Sequence, residues 1–222
     1  MARQLAEEVI NSGEFKLLGG TSQYSLTSKS FGDLFTYPNN NNEESIFALQ
    51  WKGDINYGSA NNCNTQFGIS NGTYSTSNAS YGGVFAPSQD ILTLYDTNDV
   101  RKANTIMFPG YTYTDIKVKN GQNFQTGFTV PAADQIGGQG AGAAIKKYCI
   151  GIVNGNSTGP VDSWAMMNNN TYIMRFAELL LIDAEAILAG GNSTSDSNAL
   201  KVYNAVRNRA GLSNVTSFTF DD

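Results

Sequence analysis

Residues 172–191 read YIMRFAELLLIDAEAILAGG, and after a short polar gap residues 199–212 read ALKVYNAVRNRAGL. In the first run Ile173, Phe176, Ala177, Leu180, Ala184, Ile187 and Leu188 recur three and four apart, the spacing that lines up one apolar face of a helix. Gly190 and Gly191 end it, because glycine lets the chain leave a helix through a left-handed turn. Ser195 or Ser197 can cap a second helix, whose stripe would be Leu200, Val202, Tyr203 and Val206 before Gly211 stops it. So short a gap predicts an antiparallel helical hairpin over 171–212.

Upstream, ARQLAEEVI carries Leu5, Ala6, Val9 and Ile10 at helical spacing, with Gly13 as the stop. Phe15–Leu18 reads as a short strand, Phe31–Phe35 as a helical turn, and Ser45–Trp51 as a strand. Ser88 is placed to cap a short helix bearing Ile91, Leu92 and Tyr95, and Ile106–Phe108 reads as extended. At 111–130 Ile116 and Val118 alternate with Lys117 and Lys119, Asn120-Gly121 follows, and Asn123–Val130 resumes with spaced Phe residues. Asn-Gly tolerates the positive φ angles of a type I′ turn, so a β hairpin is predicted there. Lys146–Val153 reads as a further strand. Residues 53–83 and 154–170 are long stretches rich in Gly, Asn, Ser and Tyr, and loops of that length inside a domain are usually functional or disordered.

Composition narrows the function. The net charge is −5, with Lys and Arg scattered, whereas a nucleic-acid surface needs a basic patch. No apolar run approaches the length of a spanning helix; Leu179-Leu180-Leu181-Ile182 is interrupted at once by Asp183 and Glu185. There are no histidines, which removes Ser-His and Cys-His nucleophile arrangements and the two-His zinc helix motif together. Cys63 and Cys149 lie too far apart for a zinc or redox spacing. They read as two thiols, or as a disulfide in an oxidising compartment. No metal and no cofactor is expected.

Five blocks carry a family resemblance. Residues 175–186 (RFAELLLIDAEA) with 204–212 (NAVRNRAGL) resemble the C-terminal signature of the SusD/RagB family. The segments 6–17 (AEEVINSGEFKL), 43–49 (EESIFAL), 87–96 (PSQDILTLYD, with Asp99 and Arg101) and Lys146-Lys147-Tyr148 are similar to other family blocks, in the family's order. Members are nutrient-binding lipoproteins at the surface of the outer membrane of Bacteroidetes, and each sits over a SusC-like TonB-dependent transporter. The resemblance implies an α+β, mainly α-helical SusD-like scaffold with a small β hairpin and long irregular loops. On that reading 1–222 is a partial SusD-like domain. A helix and exit segment occupy 1–18, an irregular, partly β region 19–170, the helical hairpin 171–212 and a tail 213–222. An upstream helical-repeat half, the leader and the lipid-anchor cysteine would lie outside this sequence, so the membrane would be reached only through that absent anchor.

The function implied is non-catalytic capture of glycans or other nutrients and hand-over to the transporter. Sugars have apolar C–H faces and hydroxyl rims, so their sites combine exposed aromatic rings with amides and carboxylates. The first long loop and its border offer Trp51, Asp54, Tyr57, Asn61, Asn62, Tyr74 and Tyr81, and the second offers Trp164, with Asp162 and Asn168 beside it. For each a packing role is the alternative. Arg175, Glu178, Glu185, Arg207 and Arg209 are expected to form ion pairs that hold the hairpin in register, Arg175 with Glu178 by their spacing. Two other functions compete. One is an assembly module that docks on the transporter. The other is a glycoside hydrolase built on a carboxylate pair drawn from Glu43, Glu44, Asp54, Asp115 and Asp162.

Overall fold

The computed structural model describes residues 1–25, 31–52, 61, 63–67, 69, 85–120, 123–136, 142–149 and 168–221. Its elements in chain order are α1 (Ala2–Ser12), β1 (Ser45–Leu49), α2 (Cys63–Phe67), α3 (Ile91–Leu94), α4 (Arg101–Thr105), β2 (Ile106–Met107), β3 (Thr112–Asn120), β4 (Asn123–Thr129), β5 (Ala144–Ile145), β6 (Thr171–Arg175), α5 (Phe176–Leu188), β7 (Ser193–Thr194), α6 (Ser197–Arg209) and β8 (Phe218–Thr219), with 3-10 turns at Phe31–Phe35, Tyr37–Asn39 and Ala133–Gln135. The strands pair two by two, as β1–β6, β2–β5, β3–β4 and β7–β8. This is an α+β fold of helices with small two-stranded sheets. The chain divides into two units, one of residues 1–34, 41–49 and 172–222, the other of 35–40 and 50–171.

In the first unit α5 packs against both α1 and α6. Ala6, Ile10, Leu17, Phe176, Leu180, Ala184, Val202 and Val206 make one buried cluster, and each fully buried Leu or Phe contributes roughly 1.5–3 kcal/mol. Helix α1 ends at Gly13, whose φ of 74° is the left-handed conformation a side chain would resist. Gly20 is fixed by crowding instead, since an added Cβ would lie 2.7 Å from the carbonyl oxygens of Ser22 and Ser25.

The C-terminal motif is not helical throughout. Tyr172, Ile173 and Met174 lie in β6, and the helix starts only at Phe176. The cause is Glu44, which precedes β1: its carbonyl accepts from Phe176 N at 2.9 Å, and its Oε1 from Arg175 Nη1 at 2.7 Å. That holds Arg175 extended, at φ −123° and ψ 156°. Ile173 is 52% exposed on the ribbon, not part of the helix stripe. Ile46 and Met174 pack on the core, whereas Phe47, Leu49 and Ile173 face outward.

The Glu44 carboxylate is wholly buried. It also accepts from Leu18 N at 3.0 Å and from Arg209 Nη1 at 2.5 Å, and Phe31 lies beneath both guanidinium groups, 5.9 and 5.6 Å from their centres. The expected Arg175–Glu178 pairing is therefore replaced by a longer-range one. Arg207 turns instead to the Ser213 carbonyl, 3.0 Å away. Helix α6 is capped by neither Ser195 nor Ser197 but by Asp196, whose Oδ1 accepts from Asn198 N and Ala199 N at 2.8 and 3.2 Å. The tail is docked: β8 pairs with β7, Phe218 stacks on Tyr203 at 4.4 Å, and Asn204 exchanges two bonds with the Val215 backbone. Asp183 on α5 is buried, and its Oδ1 has no partner among the described residues. Burial and the nearby Glu7 raise its carboxyl above the ordinary range, while Arg3 acts the other way.

In the second unit the hairpin is where its alternation puts it, with Asn120 paired to Asn123 and a register shift between Tyr113 and Lys117. The turn residues 121–122 lie outside the described residues. Ile116, Phe128 and Val130 join Ile69, Met107 and Ile136 in a second buried cluster. The strand expected at Lys146–Val153 is displaced: β5 stops at Ile145, and Lys146 opens a turn closed by Cys149 N on its carbonyl at 2.8 Å. Residues 150–153 lie outside the described residues. Lys146 Nζ donates to Asp115 Oδ2 at 2.8 Å and to the Cys149 carbonyl at 3.1 Å, so this long side chain is spent on closing the turn. Asp99 pairs with Arg101, Nη2 to Oδ2 at 2.6 Å, as a structural ion pair. Phe15–Leu18 forms no strand, and Asp90 rather than Ser88 precedes α3. Cys63 and Cys149 are both thiols.

Candidate functional site

Of the eight sequence candidates, Trp51 and Asn61 are described and belong to the second unit; Asp54, Tyr57, Asn62, Tyr74, Tyr81 and Trp164 lie outside the described residues. Trp51 follows β1 by two residues and is half-buried. Its indole Nε1 donates to Thr171 Oγ1 at 3.0 Å, and its backbone N reaches Asn170 Oδ1 at 3.4 Å. A tryptophan held this way has its one polar atom satisfied by protein. The rest of the side chain is apolar.

Asn61 is only 2% exposed. Its Nδ2 donates to the Asn169 carbonyl at 2.8 Å and to Thr171 Oγ1 at 3.2 Å, and its Oδ1 accepts from Cys63 N at 2.8 Å. It sits beneath the surface rather than on it. Thr171 Oγ1 thus receives both the Trp51 indole and the Asn61 amide.

A knot of short polar side chains surrounds this pair. Asn40 Nδ2 donates to the Asn168 carbonyl at 2.6 Å, and Asn40 Oδ1 accepts from Asn170 N at 2.9 Å. Asn170 Nδ2 reaches Gln50 Oε1 at 2.9 Å, and Asn169 Nδ2 reaches the Phe35 carbonyl at 2.7 Å. Asn169 Oδ1 is buried with no partner among the described residues. The knot ties together Asn61, within the first long loop, and Asn168–Thr171, where the second returns to the scaffold.

Asn40, Gln50, Asn169, Asn170 and Thr171 were not singled out from the sequence. The signal was the run Asn168-Asn169-Asn170-Thr171 directly before the helix motif, since such side chains readily bond to backbone groups. None of the knot's side chains titrates near neutral pH, so it orients groups and moves no protons. Burial pushes the neighbouring Cys63 thiol up to about 11, the Asn61 bond opposing it. Among the described residues no three His, Cys, Asp or Glu side chains cluster as metal ligands, and no helix is long and apolar enough to cross a membrane.

Comparisons place this geometry in a known fold. A SusD-like protein of Bacteroides ovatus is 31% identical over 226 residues, covering all of this chain and 36% of its own length. A crystal structure solved with a xylogluco-oligosaccharide superposes with a TM-score of 0.72 at 28% identity, over 99% of this chain and 40% of that one. Surface glycan-binding protein A from Bacteroides uniformis shares the fold, with a TM-score of 0.60 at 21% identity over 99% of this chain and 39% of that one. The chain therefore spans well under half the length of these relatives. The SusD family model matches residues 43–222, a stretch that holds Glu44, Trp51, the α5–α6 pair and every asparagine of the knot but Asn40, and the chain belongs to the SusD family.

Proposed function

We propose that the chain binds a glycan reversibly on aromatic rings carried at the borders of its long loops, with the Trp51 indole as one platform. The observation that carries this reading is the half-buried indole whose N–H is already spent on Thr171, so that the surface it keeps for a ligand is apolar. The relative crystallised with a xylogluco-oligosaccharide, at 28% identity, supports a sugar as the ligand. As part of a longer protein at the outer-membrane surface, the bound glycan would be passed to a SusC-like TonB-dependent transporter, without covalent chemistry. The engagement of the three described candidate carboxylates favours binding over hydrolysis: Glu44 is buried between two arginines, Glu43 accepts from Gly19 N, and Asp115 holds Lys146, while Asp54 and Asp162 lie outside the described residues.

Electrophoresis through native gels containing xyloglucan or laminarin, with a parallel assay for released reducing sugar, tests the reading. Retardation without release is expected. Trp51→Ala should weaken retention roughly tenfold, the scale of one lost ring contact, and unchanged retention would remove Trp51 from the site. Release of sugar would turn the reading to a hydrolase.

One observation favours an assembly role as a second reading. Phe47, Leu49 and Ile173 leave an apolar strip on the outer face of the β1–β6 ribbon, at 59%, 45% and 52% exposure. Phe47→Ser lowering co-purification with a transporter while leaving glycan retention intact would support it.

A further inference from the structure

We infer that Thr171 and Asn61 are positioning residues for glycan binding: they set the plane and direction of the Trp51 indole without touching the ligand. The inference rests on the reading that Trp51 is a glycan platform and adds what holds that platform in place. Thr171 Oγ1 has two lone pairs and one proton. The lone pairs take the Trp51 Nε1–H at 3.0 Å and the Asn61 Nδ2–H at 3.2 Å. Asn61 is locked in its turn, because its second amide proton goes to the Asn169 carbonyl at 2.8 Å and its oxygen takes Cys63 N at 2.8 Å. An amide with all three groups engaged at 2% exposure has one orientation.

The indole is thereby referred, through one hydroxyl, to two chain segments 110 residues apart in sequence. Stacking on a sugar face depends on ring orientation, and a side chain ordered before binding loses less freedom on binding. Thr171 is the first residue of β6, so the hydroxyl that aims the ring stands on a paired strand rather than on a loop.

Thr171→Val keeps the β-branched shape that suits a strand and deletes the hydroxyl; Thr171→Ser keeps the hydroxyl. Two measurements are made on each variant and on Trp51→Ala: retardation in xyloglucan and laminarin gels, and the indole N–H cross-peaks in nitrogen-15 spectra, with Trp51's assigned by its loss in Trp51→Phe. Thr171→Val is expected to shift that cross-peak, speed its exchange with solvent, and weaken retention roughly five- to tenfold, the size of one net hydrogen bond. Thr171→Ser should restore both to within about twofold. Asn61→Ala should move the same cross-peak in the same direction.

A purely structural Thr171 would lower the melting temperature and move the indole signal while leaving glycan retention by the folded protein where it was. An unmoved cross-peak in Thr171→Val overturns the inference, as does a moved cross-peak with full retention while Trp51→Ala abolishes it. If Trp51→Ala itself retains full retardation, or neither glycan retards the wild type, the platform reading fails and the inference with it. The Trp51→Ala lane and the Thr171 lanes separate the two failures.

Discussion

In the unit built on α1, α5 and α6 the buried polar centre is ionic. Glu44, with no exposure, receives Arg175, Arg209 and the Leu18 amide. In the unit that carries Trp51 the polar knot beside the indole is neutral, a web of asparagine amides and one threonine hydroxyl around Asn169 and Asn170, with the unit's ion pairs at Asp99 and Lys146 forming no part of it. The difference is one of consequence. A buried carboxylate between two guanidinium groups leaves uncompensated charge if one partner is lost, so that centre tolerates little change. Neutral amides cost less to break one at a time, so the knot beside Trp51 tolerates the loss of a single bond better. One centre thus fails when a single partner is lost, while the other loses its bonds one at a time.

Substitutions can break this comparison. The largest effect is expected from Glu44→Gln, which removes the buried charge that Arg175 and Arg209 share and should cost about 3–5 kcal/mol of stability in urea unfolding. Asn170→Ala removes bonds to Gln50 and to the Trp51 amide and should cost about 1–3 kcal/mol. If its loss equals that of Glu44→Gln, the contrast between the two centres is wrong.

The smallest effect should carry the opposite sign. Asp183 has its carboxyl raised, chiefly by burial, so its contribution to stability is complete below the ordinary carboxylate range, where folded and unfolded forms are both protonated. That contribution declines as pH rises through the raised folded value. Asp183→Asn should therefore raise the melting temperature modestly at pH 7, and the advantage should shrink to nothing below about pH 4. Calorimetry at both pH values checks it; equal gains at both would point to packing instead of charge.

How legible these features were in the chain follows the range of the interactions behind them. Helix α1 with its Gly13 stop, the hairpin and the α5 stripe depend on neighbours three, four or two residues away, and periodicity reveals them. Tyr172–Arg175 misled because Ile173 falls on the helical stripe by spacing, while the force that holds the segment extended comes from Glu44, 131 residues upstream of Arg175. The capping of α6 was off by one residue, since Ser195, Asp196 and Ser197 are all competent and the local turn chooses among them. At the site, residue type flagged Trp51, a ring beside an asparagine-rich loop. The partners that orient it, Thr171 and Asn170, stand about 120 positions along the chain. Asn61 was legible as an amide in the first long loop. Its depth was not, because burial belongs to the fold rather than to the string.

Cys63 gives that depth a chemical readout. Its backbone N is tied to Asn61 Oδ1, and burial pushes its thiol up to about 11, so at neutral pH almost none of it is thiolate, the form that alkylating reagents attack. Maleimide uptake at this position therefore works as a clock of solvent entry: losing the Asn61 bond alone would push the thiol further up and slow it, so it ticks faster only when a variant lets water reach the sulfur.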